Sequence, residues 1–311
     1  MPGAFPAAAP SISSDLLTIS RFLQSPTFIA RRLRSFRDLR FISDQLLTQR
    51  LRSQGGAVLY ETGETSLTDR TPESVAPGST YPYANTVPGT AAVAAVQKWG
   101  QKVLLTDEEL VRSVYQGQVL DRQLRKVVNT IISQVDGIAM SAIASAVSQT
   151  FSVTAGGGIA WNLANATFLR DILRARSQLR KLNMGYNPDV LAVNDDAYAY
   201  ILSDDKITNA LRRETTDNPV YTGEIERILQ LTIVVSPQIP TTTAYILDST
   251  QFGGMADETD GAPGYAVGDL AVQTKAIRDE HADSWDLQGR RKTVPVILEP
   301  NAAIKIINTG L

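Results

Sequence analysis

QGGAVLYETGETSLTDRTPESVAPGSTYPYANTVPGTAAVAAVQKWG (residues 54–100) leads within a few residues into DEELVRSVYQGQVLDRQLRKVVNTIISQVDGIAMSAIASAV (residues 107–147), and the two segments obey opposite rules. The first places Pro72, Pro77, Gly78, Pro82, Pro88 and Gly89 between two strand-like runs, 57–61 and 91–96. Punctuation of that density denies both a helix and a central strand. A structureless segment of this length does not belong inside a compact domain. A projecting two-stranded arm with a Pro/Gly-rich tip satisfies both constraints. An isolated hairpin is marginal in water, so such an arm is expected to rest on another chain.

The second segment reads as one helix of 41 residues. Thr106 is placed to cap it, Glu109 completes a capping box, and Asp107 and Glu108 suit the positive end of the helix dipole. Leu110, Val114, Leu120, Leu124, Val127, Ile131, Val135 and Ile138 recur every three or four residues, as one buried stripe requires. At 1.5 Å per residue the helix spans roughly 60 Å, far beyond the ordinary three turns. Gly117, Gly137 and imperfect heptads weigh against a coiled coil.

Working outward, residues 1–14 are a Pro/Ala/Ser-rich tail. Residues 15–52 carry Phe22, Phe28, Ile29, Leu33, Phe36, Leu39, Ile42, Leu46 and Leu47 at helical intervals, predicting one or two helices interrupted near Pro26. Beyond the break at Gly156-Gly157-Gly158 the pattern turns α/β. A helix over 165–182 ends at Gly185 and Pro188. A buried strand at 189–193 follows, then a helix capped by Asn194, then strands at 233–235 and 244–247. Residues 252–264 read as a Gly- and acid-rich loop. The remainder is mostly β, at 270–278, 285–288, 293–298 and 303–307.

Composition bounds the function. With 43% apolar and 20% charged residues the chain is a folded, soluble type. The net charge is only −2, but residues 1–52 hold eight arginines against Asp15, Asp38 and Asp44. That basic arm faces an anionic partner or the acidic part of a neighbour, or else is the wet face of an amphipathic helix. Cysteine is absent, which removes disulfides and thiolate chemistry. The start lacks a signal peptide. The uncharged run 137–169 is interrupted by polar residues and glycines and is not read as a membrane span. The simplest compartment is intracellular.

No catalytic constellation stands out. His281, the only histidine, sits in a charged segment with no nucleophile elbow, so a surface or interface role is expected. Asp257, Glu258 and Asp260 lack the spacing and closing glutamate of a Ca²⁺ loop. Asp195-Asp196 and Asp204-Asp205 read as helix-capping pairs. The triple glycine lacks the Lys and Ser/Thr of a phosphate loop, and Trp99, Trp161 and Trp285 read as packing anchors. No catalytic, cofactor or metal residue is assigned, and the chain is read as a non-enzyme that presents surfaces.

The order of parts resembles the major capsid proteins of tailed phages, whose fold is named after phage Hong Kong ninety-seven. The likeness is carried by Gly55-Gly56-Ala57-Val58-Leu59-Tyr60, by WGQKVLLTDEEL (99–110), by Asn187-Pro188-Asp189-Val190-Leu191-Ala192-Val193 and by Asp283-Ser284-Trp285. It implies an α+β fold with an N-arm (1–53) and an extended β loop (54–100). A peripheral domain with a long spine helix on a β sheet (101–159) and an α/β axial domain (160–264) follow, with closing peripheral strands at 265–311. It also implies self-assembly into hexamers and pentamers of an icosahedral shell enclosing double-stranded DNA. Arg31, Arg32, Arg34, Arg37, Arg40, Arg50 and Arg52 would form the assembly or DNA-facing basic arm, meeting phosphates without reading sequence. Glu61, Glu64, Asp69, Arg70, Glu73, Tyr81 and Tyr83 would make inter-subunit contacts from the loop.

The resemblance further implies a portal, a separate scaffolding protein and room for a cement protein as partners, and no membrane. Localisation in the virion after assembly in the host cytoplasm goes with it. Some family members crosslink subunits through a loop lysine, yet no lysine occurs between residues 54 and 97, with Lys98 at the loop base; no such crosslink is expected. The short N-terminal region, starting at methionine, favours separate scaffolding over a cleaved segment. The alternative within the same fold is an encapsulin-type nanocompartment shell holding an enzyme cargo.

Overall fold

The computed structural model describes residues 41–64, 67–112, 116–163, 165–204, 225, 227–259, 263–267 and 271–310. Its helices are α1 (Ser43–Leu46), α2 (Asp107–Arg112), α3 (Gln116–Ala146), α4 (Phe168–Lys181) and α5 (Asp195–Ser203). Its strands are β1 (Gln49–Arg52), β2 (Ala57–Thr62), β3 (Thr90–Ala95), β4 (Gln97–Thr106), β5 (Gln149–Ser152), β6 (Val190–Val193) and β7 (Arg227–Ile228). The others are β8 (Leu231–Val235), β9 (Ala244–Leu247), β10 (Gly253–Asp257), β11 (Ala266–Val267), β12 (Gln273–Asp279), β13 (Ser284–Ile297) and β14 (Ala303–Ile307).

The strands form two six-stranded sheets and one detached ribbon. In the first sheet β13 is the axis. It pairs with β4 along one flank, and with β12 and then β10 along the other. β1 adds in parallel outside β10, and β11 pairs with β12. The second sheet runs β5-β14-β9-β6-β8-β7 and mixes parallel with antiparallel pairs. The ribbon is β2 against β3.

The long helix α3 ties the two sheets together. Val127, Ile131, Val135, Ala139 and Ile143 are buried at the helical repeat. They share one core with Leu105, Met255, Trp285 and Leu287 of the first sheet, and with Val190, Ala192, Tyr245 and Leu247 of the second. Gly289 lets the helix close onto β13, since a Cβ there would stand 2.7 Å from the Val127 Cγ1. The alternate residues of the second sheet, Leu191, Val193, Ala244 and Ile246, face a second core beneath α4 and α5, as the two-residue period of a strand dictates. By length and composition 122–146 could cross a membrane, but its apolar stripe is consumed by these contacts.

Several expectations coincide with the structure. Thr106 Oγ1 accepts from the Glu109 N–H at 3.3 Å at the start of α2, and Asn194 Oδ1 accepts from the Asp196 N–H at 3.1 Å at the start of α5. The helices α2 and α3 flank residues 113–115, which lie outside the described set. The predicted N-terminal helices before residue 41 lie outside it too.

Three expectations are corrected. Residues 49–52, assigned to a helical arm, form β1, because Gly254 of β10 accepts their close approach; a Cβ there would overlap the Gln49 carbonyl. Residues 253–257, read as loop, form the buried strand β10, whose glycines are the condition for being sandwiched between two backbones. The separate strands at 285–288 and 293–298 are one strand, β13. Pro295 is tolerated inside it because the ladder bonds Leu298 N–H to Phe252 O and Glu258 N–H to Lys292 O set the phase. That phase turns residue 295 away from β10, toward the flank where β4 has already ended at Gln97. Sheet membership also runs across residues 160 and 264. β10 belongs with the spine-helix sheet, while β5 and β14 belong to the second sheet.

Candidate assembly surface

The ribbon β2–β3 continues past its sixth rung into an irregular tip. Val96 N–H donates to Gly56 O at 2.8 Å as a further rung at the ribbon's base, and Gly63 N–H, just past the sixth rung, donates to Leu298 O at 2.9 Å and ties that end of the ribbon to the body. Beyond Thr62–Thr90 the two sides are rejoined by Asp69 and Asn85. The Asp69 N–H donates to Asn85 O at 3.2 Å and the Asn85 N–H to Asp69 Oδ1 at 2.8 Å. Ala76-Pro77-Gly78-Ser79 closes a turn, with Ser79 N–H donating to Ala76 O at 3.0 Å and Gly78 at φ +88°. Proline second and a positive-φ glycine third are the demands of a type II turn.

The two faces of the ribbon differ. Val58, Tyr60, Ala92 and Ala94 are half-buried. The opposite face carries Ala57, Leu59 and Glu61 beside Ala91, Val93 and Ala95, all exposed. Leu59 and Val93 are direct cross-strand partners, with relative exposures of 75% and 68%. No described residue covers this face, and its alanines offer little relief to hold water away from an approaching partner. At the tip Tyr81 and Tyr83 are 83% and 95% exposed. Tyr81 lines a shallow cleft of about 310 Å³ with Thr68, Arg70, Pro72, Glu73 and Pro82. Exposed apolar groups gathered on one projecting element mark an interaction surface.

The predicted contact residues fall into two sets. Glu61 lies on the uncovered ribbon face and Glu64 just past the last rung, where its backbone bonds the Glu299 carboxyl. Burial raises the Glu299 pKa, and the neighbouring Tyr186 hydroxyl, desolvated and facing that carboxyl, is pushed up to about 12. Asp69, Arg70 and Glu73 are paired within the tip, Arg70 Nη2 reaching Glu73 Oε1 at 2.6 Å. Of the basic-arm residues, Arg31, Arg32, Arg34, Arg37 and Arg40 lie outside the described residues. Arg50 stands on β1 and pairs with Asp44 at 2.7 Å and Asp257 at 3.7 Å, so it serves the body rather than a free arm. Arg52, next to it on β1, is exposed.

Composition and motifs gave no hint of a buried charge network that docks residues 41–52. Arg291 is fully buried in β13, with bonds from Nη2 to Asp44 Oδ1 at 3.0 Å and from Nε to Asp257 Oδ1 at 3.1 Å. Its guanidinium stacks over Phe41, 4.2 Å from the ring centre. Nearby, buried Asp136 of α3 accepts from the Ser43 N–H at 3.0 Å and the Ile42 N–H at 3.2 Å. Burial raises the Asp136 pKa, and these donors partly offset that. Nothing in the run Gly289-Arg290-Arg291-Lys292 distinguished the arginine that faces inward; the alternation of β13 does.

His281 is exposed in the β12–β13 turn, its N–H bonded to Asp279 Oδ1 at 3.0 Å. Asp257 spends both carboxylate oxygens on Arg291. Among the described residues no group of three His, Asp or Glu could hold a metal ion. Trp161 and Trp285 are buried and Trp99 packs against the core.

The comparisons agree with this architecture. A search of curated protein sequences returns no match. The capsid of Cyanophage P-SCSP1u superposes with a TM-score of 0.59 at 15% identity, over 83% of this chain and 85% of that one. The mature capsid of bacteriophage PhiM1 gives 0.57 at 12% identity over 85% of each chain. A virus-like particle from Pyrococcus furiosus gives 0.58 at 14% identity, over 89% of this chain and 98% of that one. The profile of the phage capsid protein family matches residues 89–306, and the chain belongs to that family, with the Hong Kong ninety-seven type of fold.

Proposed function

We propose that this capsid protein is the major shell subunit of a tailed phage, and that copies of it close into hexamers and pentamers of an icosahedral particle around double-stranded DNA. The observation that carries this reading is the uncovered Ala57, Leu59, Val93 and Ala95 face on a two-stranded ribbon. A ribbon of that size is marginal alone, and the body of a neighbouring copy would cover it. The exposed tip tyrosines would add anchors of the kind that dominate interfaces. Arg52 and the basic segment before residue 41 would supply phosphate contacts or pair with a neighbour. Assembly in the host cytoplasm, residence in the virion, a portal, separate scaffolding and an optional cement protein belong to the same reading.

The experiment is electron microscopy of the purified chain beside a variant lacking residues 65–90. Closed shells from the parent, and a folded subunit that forms none from the deletion, are expected. Normal particles from the deletion would overturn the role of the arm. The likeness to a virus-like particle from a cellular organism supports a second reading, a nanocompartment with enzyme cargo. Nucleic acid inside native particles favours the first; a co-purifying enzyme favours the second.

A further inference from the structure

We propose that the outer face of α4 is a contact surface for the phosphate backbone of double-stranded DNA, a reading that rests on the shell assignment above. The helix buries Phe168, Asp171, Ile172, Ala175 and Leu179. Its other face presents Arg170, Arg174, Arg180 and Lys181, all exposed, with Arg176 half-buried at the flank. The helix's one carboxylate, Asp171, is beneath it, bonded to Thr167 and Trp161.

None of the five cations forms an ion pair with a described residue; their hydrogen bonds go to neutral acceptors. Arg170 Nη2 donates to Gly156 O at 3.2 Å, and Arg174 Nη1 donates to the same oxygen. Arg176 Nη1 reaches Leu229 O at 2.9 Å and Arg180 Nη2 reaches Asn187 Oδ1 at 3.2 Å. Two guanidiniums converging on one carbonyl hold like charges side by side. Burial, with Arg180 nearby, lowers the Arg176 pKa. By contrast Arg50, Arg70, Arg278, Arg291 and Lys102 each have a carboxylate partner. Asp171 attracts Arg170 and Arg174 from beneath without closing an ion pair, and the excess positive charge of the ridge is a field that a polyanion from outside the chain would neutralise.

The spacing fits a polyanion. Arg170, Arg174 and Lys181 follow one stripe, with Arg180 flanking its end, and span about 16 Å at 1.5 Å per residue, enough to meet several phosphates of one strand. A second copy offering exposed carboxylates such as Glu108, Glu109 or Asp195 is the competing occupant, and the assembly readout below separates it from DNA. The ridge offers arginines and no exposed aromatic, so binding would be independent of base sequence.

The test measures binding of the full-length chain to a mixed-sequence 30-base-pair duplex across a salt series, for the parent and for R170Q/R174Q/R180Q. Each lost phosphate contact lowers the slope of log affinity against log salt by about 0.9. The triple variant should lose about 2.7 in slope, so its affinity at 50 mM salt should fall about 40-fold further than its affinity at 200 mM. Arg→Lys at the same positions should restore most of the slope. A slope unchanged from the parent overturns the proposal, with thermal unfolding confirming that the variant folds. Lost shell assembly with an unchanged slope also overturns it and makes the ridge a subunit contact. Failure of the parent itself to form shells would instead sink the shell assignment, and microscopy of the same samples separates the two failures.

Discussion

Replacing Leu59 and Val93 together by threonine should abolish assembly while leaving the subunit intact. Threonine keeps the strand preference of a β-branched residue, so the ribbon itself is preserved. Fully burying a leucine or valine side chain stabilises by about 1.5–3 kcal/mol. With 75% of Leu59 and 68% of Val93 uncovered in the free chain, covering the pair is worth roughly 2–4 kcal/mol per contact. At 1.4 kcal/mol per tenfold, that is about a 30- to 700-fold change in each contact's association constant. Because every subunit repeats the contact, the threshold concentration for assembly should rise beyond reach. Light scattering during assembly reads the threshold, and denaturant unfolding of the free subunit should move by less than about 0.5 kcal/mol. An unchanged threshold would refute the reasoning. A free subunit destabilised by more than about 1 kcal/mol would refute it from the other side, since it would mean the chain covers this face itself.

Removing the buried guanidinium with Arg291→Ala should cost about 3–5 kcal/mol, read by calorimetry of the free subunit, because Asp44 and Asp257 are left facing each other with, among the described residues, exposed Arg50 to answer them. Gly254→Ala should detach β1, since its Cβ would overlap the Gln49 carbonyl; limited proteolysis should then cut within residues 41–52. The raised pKa of Asp136 fixes a pH dependence. Folding favours its protonated form, so its contribution is fully present below the ordinary carboxylate value near 4, and declines as pH climbs from there through the folded pKa. Asp136→Asn should flatten that decline in the difference of unfolding free energies measured upward from about pH 4. Particles should also run as single chains on a denaturing gel, since no lysine lies between residues 54 and 97.

Local features were legible in the sequence. The arm followed from proline and glycine density, the spine helix from its stripe, and the start of α5 from Asn194. What stayed hidden depended on partners distant in the chain. β1 read as the end of a helix because its pairing strand lies 200 residues on, and β10 read as a loop because its glycines resemble flexibility until two flanking backbones are placed against them. Arg291 lay in a run of three cations, and only the register of β13 turns it inward. The basic face of α4 was visible as arginines but not as unanswered charge, which required knowing where the carboxylates fall. For the arm itself, its exposed face could be named only once Leu59 and Val93 were seen to share a rung.

Hydrogen exchange at the ribbon amides, 57–62 and 90–95, compared between free subunits and assembled particles, tests most directly whether neighbouring copies complete this chain. The account predicts fast exchange in the free chain and strong protection after assembly, confined to the arm and to the surface it covers. Equal protection in both states would contradict it.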